Sequence, residues 1–242
     1  ELQHNQLKGS IPFELCFLRQ LGTFCMYVYV YVYKFPFILS ICSLCYAMSH
    51  TTTSSSSSSS SPSFVPSSLA VTLRLNHNAL TGTVPSEIAA ETNLQILDLS
   101  SNQLEGSIPD MFESMTALVE LDLNHNHFGA GGDSSFATTT ATATSRLGKL
   151  PTTLKYLTNL QHLTLNNNGL TGTIPSDWGG MGQLETLHIQ NNHLSGSFPI
   201  QLGKMVHLVD FDFDNNTNLP SKLPPKIVRR LIHLNHRISH DD

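Results

Sequence analysis

LQILDLSSNQLEGSIP, residues 94–109, decides the fold, because near-copies of it recur along most of the chain. Sliding the pattern L-x-x-L-x-L-x-x-N-x-L-x-G-x-I-P along the sequence places its asparagine at Asn78, Asn102, Asn126, Asn168, Asn192 and Asn216. Four of the five intervals are 24 residues, and the fifth, from Asn126 to Asn168, is 42, one period and 18 more. Self-similarity at a fixed period of this size marks a solenoid, in which each unit packs only on its neighbours.

One turn can be read directly. In Leu97-Asp98-Leu99 the alternation sends both leucines one way and the aspartate the other, the pattern of a short strand with one buried face. Stacked at roughly 4.8 Å, such strands form a parallel sheet. Asn102 follows where the chain must turn inward, and its amide can satisfy backbone groups that water cannot reach. Asn78, Asn102, Asn126, Asn168, Asn192 and Asn216 are therefore expected to form a buried ladder. Leu104 and Ile108 enter the interior from the opposite wall, Gly106 permits a tight or close-packed backbone, and Pro109 fixes φ and ends strand pairing. Each buried aliphatic side chain contributes roughly 1.5–3 kcal/mol, so several per turn supply the core.

These residues resemble a leucine-rich repeat protein of the plant-type, 24-residue subclass. The subclass mark, L-x-G-x-[IV]-P, stands at 80–85 (LTGTVP), 104–109 (LEGSIP), 170–175 (LTGTIP) and 194–199 (LSGSFP). The resemblance implies an α/β solenoid coiled right-handed and curved, with short parallel strands on the concave face and 3-10 or irregular segments on the convex face. It also implies a non-catalytic module whose concave sheet binds a protein, peptide or glycan ligand, outside the cell or at a membrane. Similar solenoids serve as receptor-like kinase ectodomains and as inhibitors of cell-wall-degrading hydrolases.

Composition narrows the alternatives. A formal net charge of −5 disfavours a general nucleic-acid binder, which needs a basic face. Cys16, Cys25, Cys42 and Cys45 all precede the continuous repeats. Relatives of the resembled subclass commonly carry cysteine pairs in both terminal caps, and no pair follows the repeats here. The sequence opens at Glu1 without a charged segment preceding an apolar core, so a fragment of a longer protein is the expectation.

Residues 1–21 read as a partial repeat, with Asn5 on the ladder position and Pro12, Leu15 and Leu21 matching Pro85, Ile88 and Leu94. Removing residues 22–70 then restores the period to the residue, since Asn5 and Asn78 lie 73 apart and the segment is 49 long. Its first part, 22–49, is apolar and aromatic; its second, 51–68, is a Ser/Thr tract unable to build a core. Three readings stand: translated non-coding sequence such as a retained intron, which is preferred, a membrane span, or a β-prone, aggregation-risky strand. Repeats resume over 71–225, broken by a Gly/Ser/Thr loop at 129–146, and 226–242 reads as a short closing helix and tail, in which Ile227, Val228, Leu231 and Ile232 share a face, or as the start of a truncated seventh turn.

Alternation places three columns on the strand face. Arg74, Asp98, Asp122, Thr164, His188 and Asp212 form the centre; Thr72, Ile96, Glu120, His162, Thr186 and Asp210 precede it; Asn76, Ser100, Asn124, Asn166, Gln190 and Asp214 follow. The candidate ligand-binding set is Arg74, Asp98, Glu120, Asp122, His162, Thr164, His188, Gln190, Asp210, Asp212 and Asp214. Polar, mildly acidic and poor in aromatics, this surface suits basic peptides or hydroxyl-rich ligands better than an apolar helix.

No cofactor, metal site or catalytic constellation is expected. Asp210, Asp212 and Asp214 share a face at about 6.5–7 Å spacing, where three carboxylates could hold calcium, but they read as a solvated acidic edge. His233, His236 and His240 read as a polar tail, and Cys42-x-x-Cys45 lacks the second pair of a zinc site. Neither a nucleophile elbow nor a phosphate loop, HExxH or kinase signature occurs. Asn215-Asn216-Thr217 is the single N-glycosylation sequon, at a strand exit, and its use requires a secretory route.

Overall fold

Each turn buries the leucines of its L-x-L strand and hands the chain to an asparagine that faces inward. The computed structural model describes Gln3 and residues 7–11, 71–130 and 148–231. It divides into two units, residues 1–17 with 70–242, and residues 18–69. The apolar stretch 22–49, the Ser/Thr tract, all four cysteines, most of the loop at 129–146 and the tail from Ile232 lie outside the described residues, and no helix among the described residues is long and apolar enough to cross a membrane.

The main sheet has six parallel strands in sequence order: Val71–Arg74, Leu94–Asp98, Glu120–Asp122, His162–Thr164, Thr186–His188 and Asp210–Asp212. Their register is that of the period, with Leu97 opposite both Leu73 and Leu121, and Leu187 opposite both Leu163 and Phe211. Behind it runs a second set of short parallel strands, Lys8–Gly9, Ala79–Gly82, Gln103–Gly106 and His127–Phe128, then Thr171–Gly172, Asn192–Ser195 and Asn216–Asn218. The far wall is a stack of 3-10 segments: Ser86–Ala90, Asp110–Ser114, Thr152–Tyr156, Ser176–Gly180 and Ile200–Lys204. Each follows a proline held near φ −65° in extended geometry, which ends strand pairing and sets the first 3-10 residue. The fold is a solenoid, and its core is the file of apolar side chains between the two walls. Leu97, Leu99, Leu104, Phe112, Met115 and Leu118 of a single turn are fully buried.

The asparagine ladder is present at all six positions. Asn102 accepts the Leu80 N–H at 3.0 Å and donates to the carbonyls of Leu75, Leu99 and Ser100 at 3.0–3.1 Å, tying its own turn to the one before. Asn126, Asn168, Asn192 and Asn216 repeat the scheme, and Asn78 applies it to Leu7. The residue before each ladder asparagine, from His77 to Asn215, has φ between 51° and 55°. That left-handed conformation favours Asn and His among non-glycine residues, which fill five of the six positions; Ser101 is the sixth. Gly106 has φ +84°, and a Cβ there would stand 2.9 Å from the Thr83 methyl, so the L-x-G-x-[IV]-P glycine is required on both counts.

Two junctions define how the stack accommodates its interruptions. Lys8 pairs with Ala79, an offset of 71 residues where neighbouring rungs such as Thr81 and Gln103 differ by 22. At the second junction Gly129 keeps the regular rung bond, donating to the Gly106 carbonyl at 2.8 Å, and Gly148 accepts from Thr171 N–H. Gly129 and Gly148, on either side of that loop, therefore both make the bonds of a regular rung. Close approach closes this junction: a Cβ on Gly129 would lie 2.6 Å from the Gly169 carbonyl oxygen and 2.7 Å from the Gly148 Cα.

The last turn substitutes Phe211 and Phe213 for strand leucines, and both rings pack edge-on against Phe198 at 6.2 and 4.8 Å between centroids. A short α-helix, Pro225–Val228, follows, with Ile227 and Leu231 buried. It lies at the start of the closing helix and tail expected over 226–242; Ile232 lies outside the described residues.

Candidate functional site

Strand register assembles the three polar columns. Thr72, Ile96, Glu120, His162, Thr186 and Asp210 are lateral neighbours in turn, as are Arg74, Asp98, Asp122, Thr164, His188 and Asp212. The third column, Asn76 to Asp214, lies just beyond the strands, where backbone bonds such as Leu75 N–H to the Asp98 carbonyl and His77 N–H to the Ser100 carbonyl continue the pairing.

Within these columns some groups are already engaged. The Arg74 guanidinium lies 3.5 Å from the Asp98 carboxylate and 3.4 Å from that of Glu120. Asp98 is only 4% exposed, and its other oxygen accepts from the Ser100 hydroxyl at 2.7 Å and the Ser100 N–H at 3.1 Å. Arg74 and Glu120 are both half-buried, more accessible than the Asp98 carboxylate between them. Further along, His162 shares a hydrogen bond with the Thr186 hydroxyl at 3.1 Å, and His188 pairs with Asp210 at 3.0 Å. Asp212 accepts the Asp214 N–H at 3.2 Å, and burial pushes its carboxyl above the usual range. Asp210, Asp212 and Asp214 do not converge, and no group of three metal-ligating side chains forms among the described residues.

Burial likewise raises Asp122, with the Asn124 N–H at 3.0 Å pulling it back and the charges of Asp98 and Glu120 adding to the rise. A carboxyl whose pKa is higher folded than unfolded binds more protons in the native state, so its contribution to stability falls as pH climbs from the unfolded value of about 4 through the folded one. Asp122→Asn keeps an oxygen for Asn124 N–H and removes the half-buried charge. Its melting temperature is expected above wild type at pH 7 and level with it at pH 3, where wild-type Asp122 is itself protonated; thermal unfolding at both pH values measures this.

A second, exposed line of contacts runs beside the buried ladder. His125 bonds Asn167 at 3.1 Å, and Asn215 donates to the Asn191 side chain at 2.7 Å. Sequence reasoning did not single it out, although the Asn/His preference at the position before each ladder asparagine was its signal.

The Leucine rich repeat family model matches residues 69–128, and a second Leucine Rich Repeat model matches 159–181 and 183–205. The ectodomain of the receptor kinase SOBIR1 from Arabidopsis thaliana is 31% identical with a TM-score of 0.51, over 61% of this chain and 71% of that one. The chain belongs to the leucine-rich repeat family. A chain of the BIR3–SERK2 complex from the same plant is likewise 31% identical with a TM-score of 0.51, over 64% of this leucine-rich repeat protein and 71% of its own length. Arabidopsis HAESA, solved with the peptide hormone IDA and the co-receptor SERK1, is 29% identical with a TM-score of 0.55 over 69% of this chain. The leucine-rich repeat chain spans about a quarter of the HAESA chain, 24% of its length. No curated protein sequence matches it.

Proposed function

We propose that this leucine-rich repeat protein is a non-catalytic recognition module that takes a protein or peptide ligand across its six-stranded face. The observation that carries the reading is the continuous polar file along six rungs, which offers donors and acceptors rather than an apolar groove. Resemblance to an ectodomain solved with a peptide hormone and a co-receptor supports a protein or peptide as the ligand class. A glycan is the alternative occupant of these polar columns.

Charge-neutral truncation tests the face without disturbing the ladder. His162→Ala combined with Gln190→Ala is expected to weaken a ligand selected from a panel of secreted peptides roughly tenfold or more, about 1.4 kcal/mol. Glu113→Ala with Lys204→Ala, on the opposite wall, should leave affinity unchanged, as titration calorimetry would register. Loss with the second pair and not the first moves the site off the sheet. Asp98 is unsuitable for this purpose because its carboxylate is buried and engaged.

A second reading, a segment of a receptor-like kinase ectodomain, is favoured by the likeness to SOBIR1 and HAESA. Transcripts that continue past Asp242 into a kinase region would establish it, and ones that stop without such a region would remove it. The same transcripts bear on residues 22–70, which we infer to be an addition to a regular stack. The register of Lys8 on Ala79 supports that reading, because its 71-residue offset exceeds the usual 22 by the 49 residues of the segment. Reads that keep 22–70 in every transcript would contradict it.

A further inference from the structure

Asn215 occupies a position unlike that of the ladder asparagine beside it. Its side chain is exposed at the exit of the Asp210–Asp212 strand, with φ 55°, and its amide nitrogen makes one hydrogen bond, to Asn191 Oδ1 at 2.7 Å. Thr217, two residues on, is exposed as well. Between them Asn216 is 7% exposed and spends its amide nitrogen on the carbonyls of Ile189, Phe213 and Asp214 and its oxygen on Leu194 N–H. The same left-handed position carries asparagine at Asn167 and Asn191, but there the residue two further on is Gly169 or His193 rather than a hydroxyl side chain.

We propose that Asn215 is an N-glycan acceptor, a modification site that goes beyond the recognition reading and does not depend on it. The hydroxyl two residues downstream meets the N-x-[ST] requirement, and the middle residue is not proline. In the reaction Asn215 Nδ2 forms a bond to the anomeric carbon of an oligosaccharide carried on a lipid diphosphate. The bond from that carbon to the diphosphate oxygen breaks, the lipid diphosphate departs with the electron pair, and Nδ2 gives up one proton; nothing is oxidised or reduced. A primary amide has two N–H groups. The product keeps one, enough for the bond to Asn191, so the sugar is accommodated without loss of a contact that the folded chain makes there. Asn216, 7% exposed and with its amide nitrogen turned onto the carbonyls of Ile189, Phe213 and Asp214, does not present that nitrogen to a sugar donor.

Cell-free translation of the full chain behind a cleavable secretion leader, with endoplasmic-reticulum microsomes, tests the assignment. In the protease-protected lumenal fraction the wild type should show a single upward mobility shift that a peptide N-glycosidase removes. Asn215→Gln and Thr217→Ala should each abolish it, and Asn191→Gln should retain it. A protected wild-type chain without the shift, or a shift that survives Asn215→Gln or Thr217→Ala, overturns the proposal. Ligand affinity of the His162 and Gln190 variants is read separately, so failure here leaves the recognition face untouched and the converse also holds.

Discussion

Asn126→Ala is expected to destabilise the stack by about 2–5 kcal/mol, read as a fall in the denaturant midpoint, because one side chain serves two rungs. Its oxygen accepts Leu104 N–H at 2.9 Å, and its nitrogen donates to the carbonyls of Leu99, Leu123 and Asn124 at 3.0–3.2 Å. Alanine leaves Leu104 N–H without an acceptor in a sealed interior and takes one of two side-chain donors from the Leu99 carbonyl, which keeps Asn102, and from the Leu123 carbonyl, which keeps Asn168; Leu99, Leu104 and Leu123 are fully buried. Each orphaned buried group costs roughly 1–3 kcal/mol, against the 0.5–1.5 kcal/mol that an ordinary hydrogen bond contributes net. Asn126→Asp discriminates between shape and chemistry: it preserves the outline and the acceptor but removes both donors and buries a charge, so it should be at least as damaging. Asn159, whose exposed amide reaches the Thr116 carbonyl at 2.8 Å, is the control, with alanine there costing under about 1 kcal/mol. Amide exchange should show Leu104 losing protection first in Asn126→Ala.

Trp178→Ala is the other large effect, about 3–5 kcal/mol. Trp178 belongs to the Ser176–Gly180 segment, is 0% exposed, and donates its indole N–H to the Pro151 carbonyl at 2.9 Å. In the stacked column it stands where the other turns carry Ile88, Phe112, Leu154 and Leu202, so it fills more volume than its counterparts and fixes the preceding turn through the indole. Alanine opens a cavity and strands the Pro151 carbonyl. Trp178→Leu supplies the side chain that two neighbouring turns use and should recover part of the loss in thermal or chemical unfolding, whereas a cost equal to that of alanine would show that the indole hydrogen bond dominates.

Most of this architecture is legible in the sequence because a solenoid repeats its local rules. Once the spacing of the asparagines is recognised, the strand leucines, the ladder and the three surface columns follow by addition, and strand register reproduces them rung by rung. What periodicity could not convey is which polar side chains are spent on each other. Arg74 spans two rungs to face both Asp98 and Glu120, and Ser100 clamps the same aspartate, so a residue that alternation exposes becomes buried. Such contacts depend on rotamers across neighbouring turns, which a one-dimensional pattern does not encode. Glu91 is a further departure: at 3% exposure it occupies the position filled by Met115, Leu157, Met181 and Met205 elsewhere.

Contact between a partner and the strand face can be observed without knowing the partner in advance. A photo-crosslinking amino acid placed at His162, in the middle of the sheet, is compared with the same group at Tyr156, which projects from the opposite wall and is 49% exposed. The account predicts that a saturable ligand, competed by its unlabelled form, is captured from position 162 and not from position 156. Capture from 156 alone would contradict it.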